Sequence, residues 1–430
     1  MLSQHKDRVE RIKKSEFFKN VTILVTGTSI SQIIPLLISP IVARLYVPSD
    51  YAVLATYTSV TILLTIIATG MYDAALMLDE KDEDAINTGS AAVLITIIIT
   101  ILSALTMFLF RDSIARWAGN ENVRFWLYLV PITVFCSGFY STLNVWNNRK
   151  KRYKRLASNR IIMTTITSSL TLGLGFLHFN EKGLLISLIV GQTLAFALLL
   201  WQTVKNDRLL LVHISKSEIK GAFLRHKDFP KYNMPQGFLD GIRESSTVWI
   251  LSNFFGSHVL GSFSFAKSIL MRPLQIIGNA ISQVFYQKAS SVYNQTGNIY
   301  RISRNTFLIL FALGLPLTLI IFFFGDTIFI FAFGLKWKDA GVYSQILIIW
   351  LFLGFIASSL GNIPLILNKQ RQYLLFSIIG NLLPIIVFFI VSKNCVDIFW
   401  ALTVFAFSYV LIFVIMFVWL RNIVNAKTIK

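Results

Sequence analysis

Charge is what this chain has little of. Asp, Glu, Lys and Arg make up only 14% of its 430 residues, against about 25% in a soluble globular domain. That is too little polar surface for a protein of this size to be stable in water alone. Cysteine is nearly missing: the chain has two, Cys136 and Cys395, far apart. This excludes a disulfide framework and any cysteine-based metal motif. His178, His213, His226 and His258 show no ligand spacing, so no metal site is expected. A phosphate-cradling G-x-x-x-x-G-K-[ST] loop is also missing, which leaves ATP drive unsupported and no cofactor implied.

Acids are the scarcer charge, 21 against 40 bases, for a net charge of +19. Such a surplus ordinarily raises nucleic acid as a partner. Here the basic residues gather at the borders of long apolar runs, where they set orientation in a membrane, and nucleic acid is not expected as a partner.

The apolar runs are what the chain has instead. Hydrophobic residues are 55% of it, and they collect into twelve stretches at 21–43, 51–72, 87–110, 125–147, 161–179, 184–203, 232–255, 259–283, 304–324, 339–361, 373–391 and 397–420. About 20 apolar residues in a helix cross ~30 Å of hydrocarbon. Lipid offers no partner to a bare N–H or C=O, so each stretch must be helical. The expected fold is an all-α integral membrane protein of about twelve transmembrane helices.

Orientation follows from the bases. With the N-terminus inside, the inner segments hold 29 Lys and Arg, the outer segments 8, and 3 lie within spans. The positive-inside rule then puts both termini in the cytoplasm. The basic N-terminus runs into a full-length span without a small-residue cleavage site, which reads as a retained first helix. The gap Asp79–Asp84 is acidic, but acids weigh little in that rule. Tryptophans near span ends (Trp117, Trp126, Trp146, Trp201, Trp337, Trp400, Trp419) suit interfacial anchoring.

Six spans precede the long inner segment 204–231 and six follow it. The expected organisation is a basic tail (1–20), a six-helix bundle (21–203), a linker (204–231) with a short amphipathic helix opened by the capping pattern Ser215-x-x-Glu218, a second bundle (232–420) and a tail (421–430). An even count per half gives both halves the same orientation, as in parallel repeats around a central cavity near the bilayer midplane. Leu45–Leu54 and Phe254–Phe263, each between the first and second helix of its half, are a faint sequence echo of that repeat.

Several segments carry a family likeness: 43–54 (ARLYVPSDYAVL), 72–78 (YDAALML), 147–155 (NNRKKRYKR), 227–235 (KDFPKYNMP) and 333–341 (FGLKWKDAG). In order and spacing along twelve spans the chain resembles the polysaccharide flippases of the multidrug/oligosaccharidyl-lipid/polysaccharide exporter superfamily, above all the O-antigen and capsule repeat-unit flippases. The resemblance implies a non-enzymatic function in the bacterial plasma (inner) membrane: translocation of an undecaprenyl-pyrophosphate-linked oligosaccharide from the inner to the outer leaflet. Its partners would be that lipid-linked substrate and membrane lipid, with other polysaccharide-assembly membrane proteins as further candidates. The alternative within the superfamily is a multidrug or small-cation exporter, whose cavity would favour acids.

Charges inside spans are costly, ~2.5–3.5 kcal/mol each on insertion scales, and mark cavities or partners. The seventh span carries Asp240, Arg243 and Glu244 on one face, within about 100° of arc at 100° per residue; the eighth carries Lys267 and Arg272. Counting depth from a tight turn at Gly256–Ser257 pairs Glu244 with Lys267 and Asp240 with Arg272, leaving Arg243 as a lone guanidinium suited to bidentate capture of a pyrophosphate. A purely structural role for both pairs is the competing reading. The first span contributes no cation. Asp73 reads as a solvated acid at a helix end, with a coupling-cation site as the sharper alternative. Gly237-x-x-x-Gly241 reads as a close-packing surface, and the basic loop 149–160 as a topology determinant touching anionic lipid heads.

Overall fold

The computed structural model describes residue 23 and residues 26–395 and 397–425. Among these, no strand occurs and the membrane-length elements are all helices. The first six are α1 (Thr26–Leu45), α2 (Pro48–Ala68), α3 (Asp82–Trp117), α4 (Val130–Arg149), α5 (Tyr153–Phe176) and α6 (Asn180–Asp207). One helical element, Met234–Thr296, is broken at Gly256, whose φ of 84° and ψ of 177° leave the helical region. It supplies α7 (234–255) and α8 (257–296). Then follow α9 (Tyr300–Phe333), α10 (Lys338–Leu360), α11 (Gln370–Asn394) and α12 (Ile398–Asn425). Each expected span overlaps one of these helices. The expected tail 1–20 lies outside the described residues, and Arg421–Asn425 of the expected C-terminal tail instead continue α12.

Among the described residues, nine of the helices are long and apolar enough to cross a membrane on composition. The three that fall short are α5, α7 and α8, and each contributes polar or charged side chains to the cavities described below. Helices α1–α6 pack among themselves, as do α7–α12; the main seam between the two groups joins α2 to α7 and α8. Along it Ser245 Oγ donates to the Ser59 carbonyl (2.7 Å) and Trp249 Nε1 to Ser59 Oγ (3.0 Å). Gly237 and Gly241 let α7 lie directly on Leu63 and Ile66 of α2 and on Met71 just beyond its end, so that glycine pair serves packing.

One face of the bundle carries the start of α1 and the end of α12; the other is called the far face below. On the far face the two groups close on each other. At Gly261 the backbones approach so closely that an added Cβ would fall 1.6 Å from the Pro48 carbonyl oxygen. Beside it Tyr51, Phe265 and Trp337 interlock, with ring centroids 4.0–5.3 Å apart. Trp337 Nε1 donates to the Ala43 carbonyl (2.7 Å) and Lys336 Nζ to that of Arg44 (2.8 Å).

On the termini-bearing face the basic loop after α4 is held by the protein itself. Arg152 makes a bidentate contact with Asp207 (2.5 and 2.6 Å), which also accepts from Trp146 Nε1 (2.9 Å). Arg149 and Lys150 both bond Asp82, and Arg149 also reaches the Asp79 carbonyl (2.5 Å). Three bases of the loop 149–160 are thus neutralised within the protein, Arg149 and Lys150 by the acidic turn 79–84 and Arg152 by Asp207. The linker helix Lys216–Arg225 forms where Ser215 caps it, its Oγ accepting from the Glu218 amide (3.2 Å). Its end is latched to the same acidic turn: His226 Nε2 lies 3.0 Å from Asp79 Oδ1, and Arg225 3.4 Å from Asp84. Trp146 and Trp337, expected as interfacial anchors, are buried at 2% and 0% exposure because their indole N–H groups serve these internal bonds.

Candidate functional site

Three cavities step along α8 from the termini-bearing face inward. The first, 270 Å³, is walled by α1, α4, α5 and α8 through Thr28, Asn144, Asn148, Arg160, Asn279 and Gln283. The second, 340 Å³, lies within the α7–α12 group and holds Arg243, Glu244 and Lys267 among Trp350, Tyr409 and Phe413. The deepest, 440 Å³, lies between α1, α2, α5, α6 and α8 and holds Gln32, Gln192, Arg272 and a run of Ser and Thr hydroxyls. Asn279 lines the first and second, and Gln275 the second and deepest, so α8 is the common wall of all three.

The residues are polar here because α8 presents a different face to each neighbour. Glu244 and Lys267 meet at 2.5 Å, as depth counting from Gly256 requires. The second expected pair does not form. Lys267 and Arg272 are five residues apart, so at 100° per residue they point about 140° apart on the helix. Lys267 faces α7, whereas Arg272 faces the cavity beside α1 and α2. Asp240 instead accepts from Asn381 Nδ2 on α11 (2.7 Å). Nor is Arg243 the lone guanidinium: it donates to Asn381 Oδ1 (2.9 Å) and Glu244 Oε1 (3.2 Å). Among the described residues, Arg272 is the span cation with no ion pair or side-chain hydrogen bond. Pro273 follows it within α8 and removes one helix N–H at the same level.

Two carboxamide oxygens beside it, Gln32 Oε1 and Gln192 Oε1, are buried without a hydrogen-bond partner. Buried polar atoms left unpaired are uncommon and call for a ligand or water. Sequence reading missed a fourth cation, Arg160, by counting it with the basic loop. It sits two turns into α5, donates to Thr28 Oγ1 (2.7 Å) and lines the first cavity. The signal was present: Arg160, Thr164, Thr167, Ser168 and Thr171 fall at helical spacing on one face of a span, and all five line a cavity. Asp73 is likewise not solvated. It is 8% exposed and accepts from Thr69 Oγ1 (2.7 Å) and Ser141 Oγ (2.5 Å).

Arg160, Arg243, Lys267 and Arg272 therefore line the cavities, and Glu244 is the single carboxylate among the lining residues. Replacing Lys267 by Met or Glu244 by Gln removes half of a partly exposed pair, and a double-mutant cycle should show a coupling of about 1–2 kcal/mol in detergent unfolding. Additive losses would mean that the two side chains do not meet.

A helical bundle surrounding a polar cavity that is closed on one face is the construction of a membrane transporter. The chain belongs to the polysaccharide biosynthesis protein family, whose model matches residues 41–342. No curated protein matches it in sequence. Its fold is shared with an inward-facing multidrug resistance transporter of the MATE family in the MOP superfamily (TM-score 0.74, 14% identity, 95% of each chain). It is equally similar to the lipid II flippase MurJ in an inward closed conformation (TM-score 0.74, 13% identity, 95% of this chain and 91% of that one). The MATE multidrug transporter DinF-BH is a further match, at TM-score 0.60 and 16% identity over 94% of each chain. At these identities the likeness concerns the fold.

Proposed function

We propose that the chain is a flippase that moves an undecaprenyl-pyrophosphate-linked oligosaccharide, an O-antigen, capsule or exopolysaccharide repeat unit, from the inner to the outer leaflet of the bacterial plasma membrane. The observation that carries this reading is the cavity charge: four cations against one carboxylate, in walls otherwise rich in amides and hydroxyls. Guanidinium groups suit a pyrophosphate bidentately, and amides and hydroxyls suit sugar hydroxyls. An exporter of organic cations would favour the opposite charge.

In this mechanism the termini-bearing face is cytoplasmic. The head group and sugars enter past Arg160 and Asn279, and Arg272 with Gln32 and Gln192 holds them at the deepest point. Arg243, Lys267 and Glu244 form the substrate-facing wall of the second half, Asp240 supports it from behind through Asn381, which also accepts from Arg243, and the polyprenyl chain stays in lipid. The halves 21–203 and 232–420, joined by the linker 204–231, then rock to break the far-face contacts at Gly261 and Trp337 and release the sugars outward. No bond is made or broken, so the protein is a transporter and not an enzyme. Transport runs downhill or with a coupled ion.

The reading is tested by deleting the gene in its host and scoring lipid-linked oligosaccharide by leaflet with an impermeant sugar probe. Accumulation in the cytoplasmic leaflet, reversed by the wild-type gene, is expected. Normal outer-leaflet display with altered drug sensitivity would make the protein an exporter.

A further inference from the structure

The two halves treat their cytoplasm-facing bases differently. On the side of the first half, Arg149, Lys150, Arg152 and Arg225 are in ion pairs with Asp82, Asp207, Asp79 and Asp84. The second half has no such neutralisation. After Glu244 the chain contains three acids, Asp326, Asp339 and Asp397, and all three lie toward the far face. Lys288, Arg301, Arg304, Lys369, Arg371 and Arg421 are on the termini-bearing side, and none has a carboxylate within ion-pair distance among the described residues.

Two of these bases rim a groove. The hairpin of α8 and α9, turned at Gly297 with φ 68°, encloses 660 Å³ between Ile281, Val284, Phe285 and Lys288 on one helix and Arg301 and Ile309 on the other. Its floor is exposed hydrocarbon, Val284 at 60% and Ile309 at 52%, deeper along both helices than Lys288 and Arg301. Polarity thus changes along the groove as it does across a membrane interface: bases at head-group depth, apolar side chains below.

We infer that this groove holds a resident anionic phospholipid, its phosphate between Lys288 and Arg301 and one chain along Val284, Ile281 and Ile309. Unneutralised bases beside an apolar slot at the interface are the complement of such a lipid. A zwitterionic lipid fits less well, because its own cation meets a wall without acids. The site is separate from the translocation cavities, although α8 builds both. Gln283, which lines the outermost cavity, and Val284, which lines the groove, are consecutive residues, so a lipid seated here braces the helix that forms the cavity wall.

Native mass spectrometry of the purified full-length protein tests the site, with dioleoyl-phosphatidylglycerol and dioleoyl-phosphatidylcholine as probes. At about 1 kcal/mol for each base near the surface, K288A/R301A should weaken phosphatidylglycerol binding roughly 30-fold and leave phosphatidylcholine unchanged. The charge-preserving K288R/R301K should bind like wild type, which separates loss of the site from loss of folding. K151A/K154A, on the first half, should bind like wild type. Equal phosphatidylglycerol retention by K288A/R301A, or equal wild-type affinity for the two lipids, would overturn the proposal. So would undecaprenyl monophosphate occupying the site in preference to phosphatidylglycerol, which would assign the groove to an isoprenoid chain.

Discussion

Arg272→Gln should abolish most transport while leaving the fold intact. Arg272 lines the deepest cavity with neither an ion pair nor a side-chain hydrogen bond among the described residues, so removing its charge orphans no partner and stability should be nearly unchanged. What is lost is a charge-assisted contact to phosphate, worth about 2–3 kcal/mol, or roughly 30- to 150-fold in rate at subsaturating substrate. Arg272→Lys should recover only part, since an ammonium cannot reproduce the bidentate fork. The check is repeat-unit display at the cell surface for the two variants at matched protein levels, together with melting in detergent. Wild-type display by Arg272→Gln would remove Arg272 from the substrate site. A matching fall in melting temperature would make it structural.

Gly261→Val should be as damaging for a different reason. A Cβ at this position would overlap the Pro48 carbonyl at 1.6 Å, and the obstacle is backbone, not the tip of a flexible side chain. The far-face contact between α2 and α8 then cannot form as it stands. A penalty of about 3 kcal/mol against the closed arrangement shifts its population ~150-fold. The expected protein is folded and open toward the far face. In a background without Cys136 and Cys395, a probe cysteine at Ser268, which lines the deepest cavity, should be labelled by an impermeant thiol reagent from the far face in the Gly261→Val protein and protected in its parent. Unchanged labelling would show that the Gly261–Pro48 contact is not a gate.

Much of this architecture was legible in the sequence, because a bilayer imposes a length on every span. The twelve apolar stretches could be placed without knowing a single contact. Glu244 and Lys267 could be paired because a break at Gly256 sets a common origin for depth. Depth alone misled at Asp240 and Arg272, where azimuth decides: five residues along a helix is a large rotation, and Arg272 belongs to the other half's cavity. Side-chain competition was equally invisible. Asn381, nearly 140 residues from Arg243 in sequence, contacts both Arg243 and Asp240. Arg160 was hidden by its company, one base among seven in 149–160, although its span carries a stripe of hydroxyls at helical spacing. Asp73 and Trp146 were misplaced because their partners come from distant helices, and composition cannot say which end of a helix has a buried neighbour.

Carriage of a pyrophosphate-linked oligosaccharide across the membrane is measurable in proteoliposomes holding the purified protein and a fluorescent undecaprenyl-pyrophosphate oligosaccharide. Substrate confined at the start to one leaflet is followed by its accessibility to an impermeant glycosidase. A flippase should give protein-dependent exchange between leaflets, slowed in Arg272→Gln and unaffected by organic cations. Leaflet exchange no faster than in protein-free vesicles under every imposed ion gradient, alongside uptake of an organic cation, would contradict it.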